Sequence, residues 1–284
     1  MIRFAQAQDH PRLKALWMEV FGDSRESVDA YFSLRHADEN MLVDTRQGEI
    51  AGMLSMLPVT LCTGGGQTYP ARYIYAVATD IRFRNRGIST ALLEAAHRHM
   101  QSLGEAASVL APASPSLFDF YGKRGYRTVF SLDIFTINAA ELPPPPPHGA
   151  AAACSAQAYV DIRDRAFSGN SLYVRWDEPA VAYAMRVFAQ TGGMAMVTWD
   201  GGEGCAAWEK AEDGVVVKEL ALARGDVQTA LSVLHGRLQT NRYTVRLMRG
   251  TVPDTLPTPF GMIRWLIPEP ALAGKPPYLS LAMD

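Results

Sequence analysis

Three residues close together, Arg84, Arg86 and Gly87, have the types and spacing to hold an anion. Ahead of them, Tyr73 to Thr79 alternates β-branched, aromatic and small residues, the pattern of a strand. Behind them, Ile88, Ala91, Leu92, Ala95, Ala96 and Leu103 recur at helical spacing. In a strand, a tight basic turn and a helix start, main-chain N–H groups and the helix dipole can hold a phosphate. The two guanidinium groups add formal charge where the helix supplies only partial charge. The stretch predicts an anion site, suited above all to a pyrophosphate.

The surrounding elements follow from periodicity and punctuation. Ile2 to Ala5 predicts an opening strand, and Asp9 a cap for a helix carrying Leu13, Leu16, Trp17 and Val20. Ser24 caps a second helix. Met41 to Asp44, Ile50 to Leu57 and Val59 to Cys62 predict strands, and Gly64 to Gly66 leads into the strand ending at Thr79. After the phosphate helix come a strand at Ala107 to Ala111, a short helix capped by Ser114 or Ser116, and a strand from Tyr126 to Ile137. Five prolines, Pro143 to Pro147, form a stiff run that cannot join a sheet, and the expected linker is residues 143–150.

Beyond the prolines, Asp177 starts a helix, and strands are predicted at Met194 to Trp199, Cys205 to Glu209 and Val215 to Leu222. Asp226 caps a further helix, and Tyr243 to Met248, Met262 to Ile267 and Tyr278 to Met283 predict three more strands. The order of the first half thus repeats, except at the phosphate loop. Ala223-Arg224-Gly225-Asp226 is short and sets an acid where a phosphate would sit.

The 284 residues suit two domains, and a net charge of −2 gives no basic field for nucleic acid. No membrane span or signal peptide is expected. Cys62, Cys154 and Cys205 form no CxxC pair, and free thiols in a reducing cytoplasm are the expectation. His10, His36, His148 and His235 are scattered without zinc spacing, so no metal is expected. Neither a hydrolase elbow nor a nucleotide P-loop occurs.

Arg84-Asn85-Arg86-Gly87-Ile88-Ser89 resembles the acetyl-CoA signature of the GNAT superfamily of N-acetyltransferases, [Arg/Gln]-x-x-Gly-x-[Gly/Ala], with Ser89 at the last small position. The same expression fits Gln101 to Ala106 and Gln190 to Ala195, but those stretches lie where helices stop and carbonyls would face a ligand. Phe120-Tyr121-Gly122-Lys123-Arg124-Gly125-Tyr126 resembles the YxxxGY/F segment that closes many GNAT domains. The paired halves resemble the family of the mycobacterial enhanced intracellular survival acetyltransferase, without its third, carrier-protein-like domain. The resemblance implies an α/β (α+β) fold of two tandem GNAT-like domains, each a mixed, mostly antiparallel sheet flanked by helices. Residues 1–142 would be the catalytic domain and 151–284 a degenerate one shaping the acceptor site.

The resemblance also implies roles. The edge of Val77, Ala78 and Thr79 would pair with the pantetheine arm of acetyl-CoA. N–H groups of Asn85, Arg86, Gly87, Ile88, Ser89 and Thr90 would face the pyrophosphate beside Arg84, and Ser116 joins the cofactor-binding set. Tyr121 is the candidate general acid, since a phenol of pKa about 10 is protonated at neutral pH; Tyr126 is the weaker alternative. No acid stands on the central strand, and the resemblance implicates the terminal residue, Asp284, as proton acceptor. The expected activity is acetyl transfer to a primary amine in a ternary complex, the acceptor being a small molecule or a peptide. The alternative is a catalytically silent CoA-binding scaffold.

Overall fold

In the computed structural model, which describes residues 1–281, the elements are as follows. The first half runs β1 (Ile2–Phe4), α1 (His10–Phe21), α2 (Arg25–Leu34), β2 (Met41–Arg46), β3 (Glu49–Cys62), β4 (Thr68–Thr79), α3 (Ile88–Ser102), β5 (Ala107–Leu110), α4 (Pro115–Gly122) and β6 (Arg127–Asn138). The second adds β7 (Ala150–Ala152), α5 (Ala156–Phe167), β8 (Tyr173–Arg175), α6 (Glu178–Thr191), β9 (Gly192–Trp199), β10 (Gly202–Ala211), β11 (Gly214–Arg224), α7 (Val227–Leu238), β12 (Arg242–Met248) and β13 (Thr258–Trp265).

The contacts divide the chain into two units. One comprises Met1–Thr60, Tyr69–Arg127 and Met262–Pro270; the other Leu61–Thr68, Thr128–Gly261 and the residues from Ala271 on. In the first unit β1, β2 and β3 are antiparallel neighbours. Next comes β4, which runs parallel to β5, and Met262 to Trp265 close the far side of β5 antiparallel. In the second unit β7, β9, β10 and β11 are antiparallel in turn, β11 is parallel to β12, and β6 lies antiparallel on β12. Parallel neighbours cannot be joined by a hairpin, so a helix crosses in each case: α3 in the first unit, α7 in the second. Both units are therefore mixed, mostly antiparallel sheets flanked by helices.

The crossover helices supply much of each core. Ile88, Leu92, Leu93, Ala96 and Met100 of α3 pack among Leu54, Met56, Ile74 and Leu110. Ala230, Leu231 and Leu234 of α7 pack among Val197, Ala206, Val217 and Val245. Each large aliphatic side chain buried this way contributes about 1.5–3 kcal/mol.

Several expectations are corrected. The Asp9 carboxylate does not cap α1; it accepts two hydrogen bonds from Arg3, at 2.6 and 2.9 Å, and one from the Gln6 N–H. The two strands expected between Ile50 and Cys62 are one, β3, with the exposed Pro58 inside it. Tyr278 makes a single bridge to Tyr173 rather than opening a strand. Pro143 to Pro147 fall within the second unit, not between units, and the Pro143 carbonyl accepts a 2.7 Å bond from Ser232 Oγ on α7.

Candidate active site

The parallel pairing of β4 with β5 covers only Ala71 to Tyr73 against Ala107 to Val109, although β4 continues to Thr79. Just past the last pair, Ala76 has φ 49°. A side chain at such a φ costs roughly 1–2 kcal/mol, and the β4–β5 pairing does not extend to it. Val77 to Thr79 therefore lie beyond the pairing with β5.

Residues 80–87 then carry the chain to α3. Asp80 anchors this loop: its N–H donates to the Ala51 carbonyl, and its carboxylate accepts from the Arg82 N–H and from Arg12. The Arg82 guanidinium, paired with Asp80 and also with Glu49, holds the Asp80 carboxyl down at about 2. Arg82 is thus neutralised, whereas Arg84 and Arg86 make no ion pair among the described residues. Asn85 and Gly87 adopt left-handed conformations, φ 62° and 72°. Among the described residues no side chain caps α3, so its first N–H groups remain available as donors. The helix start sits close on the sheet, because a Cβ at Gly52 would lie 2.6 Å from Ile88 Cγ2 and 3.0 Å from the Ala78 carbonyl oxygen.

A cleft of about 500 Å³ lies at this junction. Of the residues expected from sequence, Val77, Thr79, Arg84, Asn85, Gly87, Ile88, Ser89 and Thr90 line it. Ala78 faces inward and is fully buried, the Arg86 guanidinium lies over the Phe83 ring at 5.5 Å, and Ser116, in the first turn of α4, does not line the cleft. Val20, Phe83, Phe120 and Arg124 complete the wall. Arg124 was missed: its guanidinium donates to Thr90 Oγ1 and the Phe120 carbonyl and stacks 3.5 Å from the centre of the Phe120 ring. The signal was its place in the Phe120 to Tyr126 motif, where the aromatics drew the reading. A second cavity of about 500 Å³ shares Thr90 and Arg124 and runs along α3 past Glu94 and His97 to Lys123 and Arg264.

Tyr121 is buried in the first unit's core cluster, edge-on to Phe120 and Tyr126 with ring centres 5.1 and 5.6 Å away. It follows Phe120 of the cleft wall but does not itself line the cleft. Burial pushes its phenol up to about 12. Tyr126 is a core group: its hydroxyl bonds to His97 Nε2 at 2.9 Å and to Ser108 Oγ at 2.6 Å. Arg264 donates to His97 Nδ1 at 3.0 Å, so Nε2 carries the proton shared with Tyr126. Burial, with the Arg264 charge, takes His97 down to about 4. Asp284 lies outside the described residues.

At the matching place in the second unit, Asp226 accepts a 2.9 Å bond from the Thr229 N–H and caps α7. The nearby cavity, about 430 Å³, includes Gly225, Asp226, Leu247 and Lys275 in its lining.

Among known proteins, residues 1–129 match the family model described as an acetyltransferase (GNAT) domain. Solved structures share the fold across the chain. A GCN5-related N-acetyltransferase from Anabaena variabilis superposes with TM-score 0.76 at 18% identity, covering 94% of this chain and 73% of that one. A probable N-acyltransferase from Enterococcus faecalis gives 0.73 at 16% identity over 94% and 72%, and Eis1 from Mycobacterium abscessus 0.71 at 16% over 94% and 74%. No curated protein sequence matches. Residues 1–129 thus match a GNAT acetyltransferase domain, and the chain as a whole shares the fold of these GNAT structures, with two GNAT-like folds on one chain.

Proposed function

We propose that the chain is an acetyl-CoA-dependent N-acetyltransferase that moves the acetyl group to a primary amine by direct attack in a ternary complex. The observation that carries this reading is the uncapped start of α3, opening into a cleft beside Arg84 and Arg124. Free N–H groups, a helix dipole and unpaired positive charge suit a pyrophosphate. The edge of Val77 to Thr79 suits the amides of the pantetheine arm, and the second cavity, with Lys123 and Arg264, suits the nucleotide end.

In the reaction the amine nitrogen attacks the thioester carbonyl, the carbon–sulfur bond breaks, and the thiolate takes a proton. In this reading the donor is Tyr121, whose buried hydroxyl must reach the thiolate from beside Phe120 of the cleft wall, and Asp284 receives the proton lost by the amine. A phenol pushed to about 12 is fully protonated at neutral pH but is a reluctant acid. That reluctance favours the second reading, a catalytically silent CoA-binding scaffold.

The two readings separate in one assay. Thiol release from acetyl-CoA is followed across a panel of amines, with wild type and Tyr121→Phe. Turnover with some amine, falling roughly 100-fold in the variant while CoA affinity holds, is the expected result. CoA binding without turnover on any amine leaves the scaffold.

A further inference from the structure

His10 begins α1, His36 follows the end of α2, and Asp38 starts the turn that leads into β2. Scattered in sequence, the three converge. His10 Nε2 lies 2.7 Å from Asp38 Oδ1, His36 Nε2 lies 2.8 Å from the same oxygen, and the two nitrogens are 3.2 Å apart. The His36 side chain is 4% exposed, with its ring stacked on Phe32 at 4.6 Å. Those of His10 and Asp38 are 32% and 36% exposed, so one side of the cluster faces water.

Protons alone serve this arrangement poorly. If both Nε2 atoms carry hydrogen, two N–H groups crowd one oxygen and face each other. If either nitrogen is bare, its lone pair points at a carboxylate. If both rings are protonated, two cations stand 3.2 Å apart over one anion. A cation at the common focus satisfies all three lone pairs together.

The spacing agrees. Around an ion with donors about 2.0–2.1 Å away, neighbouring ligands sit roughly 2.9 Å apart in an octahedron and 3.3 Å apart in a tetrahedron. The observed edges of 2.7, 2.8 and 3.2 Å fall close to that range. Two imidazoles and a carboxylate are the donor set of zinc and its first-row neighbours, and the exposed side leaves room for water or another ligand.

We propose that His10, His36 and Asp38 form a binding site for a divalent transition-metal ion, with Zn²⁺ as its reference occupant. The site ties the first turn of α1 to the end of α2. It departs from the sequence expectation of no metal because its ligands share no short motif.

The test titrates the full chain, stripped with chelator, with Zn²⁺ by calorimetry and with Co²⁺ by its visible d–d absorption. One ion per chain is expected, with affinity at least ~100-fold weaker in Asp38→Asn and His36→Ala and unchanged in His148→Ala and His235→Ala. Should His36→Ala fail to fold, His10→Gln on the exposed side carries the same expectation. Equal affinity in wild type and ligand variants overturns the proposal, as does no binding of either ion up to about millimolar concentration.

Discussion

Residues 80–87 separate β4 from α3, whereas only Gly225 and Asp226 separate β11 from α7. Both junctions end a strand, start a crossover helix and lead to a parallel neighbour. In the first, among the described residues, the helix start has no side-chain cap and Arg84 and Arg86 make no ion pair. In the second, Asp226 occupies the helix start with its own carboxylate. One topology therefore yields either an uncapped or a capped helix start, with a loop of different length before it. The same contrast holds for buried charge. In the second unit the Arg163 guanidinium meets both oxygens of Glu219, at 2.9 and 3.0 Å, and Tyr159 and Tyr278 each donate to that carboxylate at 3.2 Å. Charge there is matched internally, whereas Arg84 and Arg86 at the α3 junction make no ion pair among the described residues.

Breaking the internal match has the largest expected effect. Glu219→Ala strands a buried guanidinium and should lower stability by about 3–5 kcal/mol in urea denaturation. Acid acts on the first unit through His97. Its folded value near 4 lies below the unfolded value near 6.5, so the unfolded chain takes the proton first as pH falls. The stabilisation is complete above about pH 6.5 and is lost towards pH 4, by about 3 kcal/mol in all. Denaturation curves at several pH values should show this slope flattened in His97→Gln.

Gly87→Asp writes the second junction into the first. Aspartate tolerates a left-handed φ better than most residues, and a Cβ at Gly87 meets nothing within 4 Å, so the fold should survive. CoA affinity should fall roughly 100-fold, about 2.7 kcal/mol, as read by calorimetry. The reverse change is the mildest. Asp226→Ala removes a cap and should cost about 1 kcal/mol, without creating CoA affinity in the second unit, because the loop remains too short. Detectable new binding there would show that the cap alone distinguishes the two junctions.

The sequence made local chemistry legible and left long-range chemistry hidden. Ser24, Asp177 and Asp226 cap the helices they precede, because donor and acceptor lie within one turn. Asp9 looked equally suited, but Arg3 on β1 claims its carboxylate. The loop from Arg84 to Gly87 could be read because strand, turn and helix are contiguous. Arg124 could not, since it lies in the turn after α4 and its partner Thr90 is 34 residues away on α3. Met262 to Trp265 closing the sheet beside β5, and β6 lying on β12, pair strands more than a hundred residues apart, which no period reveals. The convergence of His10 and His36 was invisible for the same reason.

Hydrogen–deuterium exchange with and without CoA tests the contrast between the two junctions most directly. Protection should appear in residues 84–91, with none at residues 225–232, and one CoA should bind per chain. Equal protection at both helix starts, or none at residues 84–91, would contradict the account.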